Sequence, residues 1–77
     1  MNKIIEKEIG NNIRKIRESV GMTQDTLSAK LQLRGCDITR SAIAKIEVGQ
    51  RHLYPDELVL IKEILCTDFD SILYGEK

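Results

Sequence analysis

The sequence predicts an all-α fold of five helices, and three observations support that prediction. Apolar residues repeat at intervals of three and four, helix start and stop residues bracket each repeat, and no stretch alternates apolar and polar residues over a strand's length. Short amphipathic helices bury their apolar stripes against one another, so we expect one compact bundle. With 77 residues, the chain has room for a single domain over residues 1–77 with one small core.

The first predicted helix runs from about Asn2 or Lys3 to Val20. One apolar stripe follows it at spacings of four, four, three and four residues, formed by Ile5, Ile9, Ile13, Ile16 and Val20. Gly21 can take the left-handed turn after the last helical residue, and Thr23 can cap the next helix. The first two helices therefore abut, and this stripe is expected to face the core.

A helix-turn-helix is predicted over about residues 23–49. The second helix begins at Gln24 and carries Leu27 and Leu31 on one face, four residues apart. A break over residues 32–38 contains a glycine, and Thr39 then caps the third helix, which Gly49 ends. Two short helices joined by a turn are the result.

The third helix, over about residues 39–48, has two faces of opposite character. Ile43 and Ile46 form a narrow apolar stripe with Ala42 beside them. The other side carries Arg40, Ser41, Ala44 and Lys45. Two cations and a hydroxyl around a small alanine suit insertion into the DNA major groove, which is about 12 Å wide.

Two more helices complete the prediction. Pro55 begins the fourth helix with a backbone angle that is already helical, and acids follow it where the helix dipole favours them. Its apolar positions are Leu58, Ile61, Ile64 and Leu65. The short fifth helix has Asp68 as its cap, continues through Phe69, Ile72 and Leu73, and ends at Gly75.

The residues that catalysis or metal binding requires are missing from the sequence. His52 is the only histidine, no Gly-rich loop could cradle a phosphate, and Asp68 and Asp70 fit the cap and first turn of a helix. Cys36 and Cys66 lack CxxC spacing, so we expect two free reduced thiols. We therefore expect no enzymatic activity, no metal and no cofactor.

Charge and hydropathy indicate where the protein works. No apolar run approaches membrane-spanning length, and charges break up the N-terminus too early for a signal peptide, so we expect a cytoplasmic protein without a membrane partner. Twelve basic and 12 acidic residues give a net charge of zero. The cations concentrate in the first two thirds and many acids near the end, which favours a basic DNA face opposite an acidic side. Ordinary solvated helix surfaces are the alternative explanation.

In order and spacing, five motifs resemble the lambda-repressor-like, Cro-type helix-turn-helix DNA-binding domains of the XRE family. They are Ile13-x-x-Ile16-Arg17, Gly21-Met22-Thr23-Gln24, Leu27-x-x-x-Leu31, Ile43-x-x-Ile46-Glu47-x-Gly49 and Phe69-Asp70-x-Ile72-Leu73, within a resemblance that extends from about Ile9 to Leu73. Two departures stand out: the turn at Leu33 to Asp37 is about five residues longer than usual, and Val48 stands where Asn is common. The resemblance implies a compact five-helix domain that places its recognition helix in the major groove.

Roles for individual residues follow from position and from the resemblance. Arg40 and Ser41 open the recognition helix and Lys45 follows one turn later, so we expect these three to contact bases, with phosphate contact as the alternative for Arg40 and Lys45. The resemblance implies phosphate contacts from Gln24, Arg14, Thr39 and Arg51. It also implies a partly buried ion pair between Arg17 and Glu47 that sets the angle of the recognition helix; two unconnected surface charges are the alternative.

These features together predict a sequence-specific DNA-binding transcriptional regulator, a repressor that binds an operator with two related half-sites as a weak homodimer. The expected dimer interface consists of His52, Tyr54, Phe69, Ile72, Leu73 and Tyr74. The alternative is that these residues close the core of a monomer. A second functional hypothesis is a protein-interaction or antitoxin-like module on the same fold, whose main partner is a protein.

Overall fold

The computed structural model describes residues 2–75 and forms five α-helices. They are α1 (Lys3–Ser19), α2 (Gln24–Leu33), α3 (Arg40–Glu47), α4 (Pro55–Ile64) and α5 (Phe69–Tyr74). The part of the chain that the structure describes contains no strand, and none of its helices is long and apolar enough to cross a membrane. The predicted all-α, five-helix fold is confirmed.

Side-chain caps determine where the helices begin. The side chains of Thr23, Thr39 and Asp68 each accept a hydrogen bond from the backbone N–H three residues later, at 3.0, 3.2 and 2.7 Å. At the start of α4, the Glu57 carboxylate accepts from the backbone N–H of Tyr54 at 3.1 Å. Each bond satisfies a donor that has no partner within the helix, which explains why local sequence was enough to locate these starts.

Helix α1 packs against α3 and α5, helix α2 packs against α3 and α4, and the core lies among these helices. Its buried side chains are Ile13, Leu27, Leu31, Ile38, Ile43, Ile46, Ile61, Leu65 and Ile72. The prediction for the α1 stripe is partly wrong, because Ile5 and Val20 are 52% and 51% exposed. Only the middle of α1 packs against the core. The two ends of its apolar stripe are not covered by other helices and are therefore partly exposed to solvent.

Gly10 is the point of closest approach between α1 and α3. It is buried, and a Cβ at this position would overlap the carbonyl oxygen of Ile46 and lie 3.0 Å from the Cα of Glu47. The two backbones can meet because glycine has no side chain. A glycine inside a helical pattern costs helix propensity but does not reveal its neighbour, so the sequence did not indicate this contact.

The longer turn between α2 and α3 is attached to the domain at its base. Ile38 is 1% exposed, and its carbonyl oxygen accepts hydrogen bonds from Ser28 Oγ at 2.7 Å and Gln32 Nε2 at 3.4 Å. At the other end of the loop, the backbone N–H of Cys36 donates to the carbonyl of Leu31 at 2.9 Å. The extra residues therefore form a loop that leaves α2 and returns to the core before α3 begins.

We expect Gly10→Ala to destabilise the protein by at least about 1–3 kcal/mol, because the added methyl group must push α1 away from the backbone of α3. Urea unfolding followed by circular dichroism measures the change. Asn11→Ala is the matched control, since Asn11 is the exposed neighbour on the same helix, and it should change stability by less than about 0.5 kcal/mol. Equal stability of the two variants would show that α1 does not need the close approach.

Candidate nucleic-acid interface

α3 separates a buried face from an exposed one. Ile43, Ile46 and Glu47 are 1%, 3% and 4% exposed, whereas Arg40, Ser41 and Lys45 are all exposed. The structure thus brings the three expected base-contact residues together on one surface. Thr39 lies at the N-terminal end of that surface, and its hydroxyl oxygen caps the helix at the backbone N–H of Ala42.

A buried ion pair joins α1 to the buried face of α3. Arg17 donates from Nε to Glu47 Oε2 at 2.7 Å and from Nη2 to Glu47 Oε1 at 3.0 Å, and the two side chains are 9% and 2% exposed. Arg17 Nη1 also donates to the carbonyl oxygen of Met22 at 2.8 Å, in the turn before α2. The hydrogen bond to Glu47 raises the pKa of Arg17, so the guanidinium keeps its positive charge.

Gln24 connects α2 to the same carboxylate. Its Nε2 donates to Glu47 Oε1 at 3.0 Å, from a half-buried position at the start of α2. One amide hydrogen that we expected to face a phosphate is therefore directed into the domain. The amide keeps a second N–H, and its backbone N–H lies in the first turn of α2.

Arg40 is the cation nearest the N-terminus of the recognition helix, and it faces an acid on α2. Its Nε lies 3.7 Å from Asp25 Oδ1, and the two side chains are 67% and 77% exposed. Sequence analysis did not indicate Asp25, because the contact depends on how the longer turn places α3 beside the start of α2. The side chain of Lys45 on the same face makes no ion pair or hydrogen bond with the described residues.

The match to a protein family agrees with this geometry. A helix-turn-helix family model matches residues 13–70, from the middle of α1 into the first turn of α5. The chain belongs to the XRE family of helix-turn-helix proteins. Members of this family are DNA-binding regulators, and the predicted lambda-repressor-like fold is confirmed. No curated protein and no solved structure matches the chain.

Two further cations were expected to contact phosphates in this XRE protein, and both have acidic partners. Arg14 Nε is 3.2 Å from Glu18 Oε2 in an exposed pair one turn apart on α1. Arg51 instead makes two hydrogen bonds to the buried carboxylate of Glu57, at 2.9 and 3.1 Å. Glu57 thus holds the Arg51 guanidinium against the loop before α4, and the expected phosphate contact of Arg51 stays a prediction.

Arg51 and Glu57 shift each other's pKa values. The hydrogen bonds from Arg51 hold the pKa of Glu57 below its ordinary value, and the carboxylate in turn raises the pKa of Arg51. Because the Glu57 pKa is lower in the folded than in the unfolded state, the pair stabilises the fold above the ordinary carboxyl pKa. That contribution is lost as the pH falls through the lowered value.

The expected dimer interface divides into core and surface residues. Ile72 is 0% exposed, so its inclusion in a subunit contact is corrected: the side chain fills the domain's own core beneath α1. Leu73 is half-buried and lines a small apolar cavity with Leu53 and Leu58. Phe69 remains 40% exposed beneath the Lys62 ammonium, which lies 5.2 Å from its ring centre.

The remaining residues of that set lie on the surface. Tyr54 and Tyr74 are 53% and 72% exposed. His52 is exposed, and its Nδ1 lies 2.6 Å from Glu6 Oε2 near the start of α1. Tyr74 is the most exposed aromatic side chain of the described residues, so it can contact a second copy without any rearrangement of the domain.

We expect Arg17→Met and Glu47→Leu to destabilise the protein by about 3–5 kcal/mol each, because each leaves a buried charge without its partner. The double variant should be more stable than either single variant, since no charge is then stranded. Chemical unfolding of the four proteins measures the coupling.

The exposed Arg14–Glu18 pair on α1 provides the matched control for this cycle. Arg14→Met and Glu18→Leu should show a coupling below about 1 kcal/mol, because water screens the pair. Additive effects of the Arg17 and Glu47 replacements would show that the buried pair does not act as a unit.

Proposed function

We propose that this XRE protein is a sequence-specific transcriptional repressor that inserts α3 into the major groove of an operator. The observation that carries the proposal is the division of α3 into a face fixed by Glu47 and an exposed face with Arg40, Ser41 and Lys45. A recognition helix must have both, because base contacts require side chains that protrude at a defined angle. A cytoplasmic location and the absence of enzymatic activity are part of the same proposal.

The side chains on this surface have donors that suit DNA. Arg40 can donate two hydrogen bonds to O6 and N7 of a guanine, and Lys45 and Ser41 can reach neighbouring base edges. Thr39 uses its hydroxyl oxygen to accept from the helix, which leaves its hydroxyl hydrogen for a phosphate. Gln24 at the start of α2 and Arg14 on α1 supply further phosphate contacts, which position the protein without reading the sequence.

A homodimer is the second part of the proposal. One short recognition helix reads only a few base pairs, so two copies on half-sites about 34–36 Å apart provide the affinity and specificity that a repressor needs. The exposed rings of Tyr74, Phe69 and Tyr54 support a contact through α5 and the loop before α4. Because so few side chains contribute, the interface falls below the ~1,200 Å² of stable complexes, and the dimer is weak until DNA brings the copies together.

Selection of bound duplexes from a random pool tests the proposal. We expect an enriched motif with two related half-sites, and an affinity for random DNA that falls steeply with salt because phosphate contacts release counterions. The alternative is a module whose main partner is a protein. The zero net charge and the acids Asp25 and Glu18 beside the exposed arginines favour it. No enriched motif, together with salt-independent behaviour, would support that alternative and refute the repressor.

We expect Arg40→Ala to weaken binding to the selected operator by about 1–3 kcal/mol and to relax preference at one or two base pairs, because a bidentate guanine contact is lost. Binding to random duplexes should weaken much less. Fluorescence anisotropy on both DNAs measures the two affinities. An equal loss on operator and random DNA would assign Arg40 to phosphate contact.

We expect the free wild-type protein to dimerise weakly in sedimentation equilibrium and Tyr74→Asp to remain monomeric, because a charge replaces an apolar ring in the contact. Leu33→Asp is the matched control: Leu33 is 87% exposed at the end of α2, away from α5, and its replacement should leave dimerisation unchanged. A wild type that stays monomeric and fills one half-site without cooperativity would contradict the homodimer.

A further inference from the structure

Asp25 is an acid on a surface that must approach a polyanion. It is the second residue of α2, and its Oδ1 lies 3.7 Å from Nε of Arg40, the first residue of α3. Both side chains are more than two-thirds exposed, so water screens the pair and it adds little to the stability of the fold. Any contribution of this contact is therefore to DNA binding and not to folding stability.

Asp25 approaches Nε of Arg40, and this position determines which guanidinium nitrogens remain available to DNA. The carboxylate lies at Nε, on the inner edge of the Arg40 guanidinium. The two terminal nitrogens, Nη1 and Nη2, are then free at the far end of the side chain. A guanidinium presented in this way donates in parallel from both nitrogens to O6 and N7 of one guanine. Asp25 thus biases a long, flexible side chain toward an orientation that suits base recognition.

Asp25 also acts through its charge. The start of α2 is where Gln24 is proposed to meet a phosphate, because helix N-termini attract anions. A carboxylate at the next residue weakens that attraction for every DNA sequence alike. It also gives Arg40 an anionic neighbour within the protein, which competes with the nearest phosphate for the guanidinium. Random DNA seldom has a guanine at the position that Arg40 reads, so its binding depends more on phosphate contacts and loses more from both effects than binding to an operator does.

We propose that Asp25 is a specificity-determining positioning residue: it directs Arg40 to a guanine and holds it away from phosphate. The proposal rests on the DNA-reading role of Arg40 given above and deepens it. Asp25 touches no base in this scheme: its charge weakens binding to all DNA at the start of α2, and its effect on selectivity passes through Arg40. The proposal predicts that loss of the Asp25 charge makes the protein bind random DNA more tightly and discriminate less between operator and random DNA.

Affinities of the wild type and of Asp25→Asn for the selected operator and for a random duplex test the proposal. The amide keeps the shape of the side chain and removes its charge. We expect random-duplex affinity to rise about twofold to fivefold, with a salt slope steeper by about 0.9 as Arg40 gains a phosphate. The ratio of operator to random affinity should fall about tenfold. In the wild type, 7-deazaguanine at the guanine that Arg40 reads should reproduce most of that fall, because it lacks N7.

Two controls separate positioning from general electrostatics. Glu18→Gln removes an equal charge from the nearby Arg14 pair, so it should strengthen binding to operator and random DNA by the same factor. In an Arg40→Ala background, Asp25→Asn should leave the operator-to-random ratio unchanged. Thermal unfolding should show at most a small decrease for Asp25→Asn, because the exposed pair adds little and only a first-turn acid of α2 is lost.

The outcomes distinguish this inference from the proposed function. Failure of the wild type to enrich any duplex refutes the proposed function and this inference with it. An enriched operator on which Asp25→Asn and Glu18→Gln behave alike refutes only the role of Asp25. The same is true if Asp25→Asn lowers the ratio in the Arg40→Ala background, because the effect then does not pass through Arg40.

Discussion

The structure depends on one buried interaction, the ion pair between Arg17 and Glu47. Glu47 is the last residue of α3, and its carboxylate receives Arg17 from α1 and Gln24 from α2. Desolvation offsets most of the attraction within such a pair, so an apolar replacement of similar size would hold the helices together as well. Unlike apolar contacts, these hydrogen bonds are directional, so they also fix the angle between α3 and the rest of the domain. We infer that this angle, more than stability, is what the buried charges contribute.

The other face of α3 differs, because its contacts are long and lie in solvent. Arg40, Ser41 and Lys45 are exposed and only loosely restrained, and the acid that faces Arg40 lies 3.7 Å away in open solvent. Short contacts in a dry environment fix the helix, while long contacts in water leave its side chains able to exchange partners. A DNA-binding helix needs this division, because its exposed side chains must adjust to DNA without disturbing the buried contacts that hold the helix.

Sequence predicted this XRE protein best where structure is determined locally. The caps at Thr23, Thr39 and Asp68 and the helix start at Pro55 each depend on a few adjacent residues, and all were located correctly. Long-range features were missed: Gly10 meets a backbone 36 residues away at Ile46, and the sequence did not indicate that Glu57 would bind the Arg51 guanidinium. Ile72 shared an apolar pattern with its neighbours, and the pattern alone did not show that its side chain would be buried.

The loop between α2 and α3 shows how a DNA-binding unit can change in length and keep its shape. Ser28 and Ile38 join its two ends through a 2.7 Å hydrogen bond, and Arg34 ties its outer part to Glu63 of α4 at 2.6 Å. Gly35, at the tip of the loop, borders open space, because a Cβ added there would meet no atom within 4 Å. For protein engineering, this tip is an attachment point: a fluorophore or a short peptide inserted there would lie beside the recognition helix without altering the angle at which it is held.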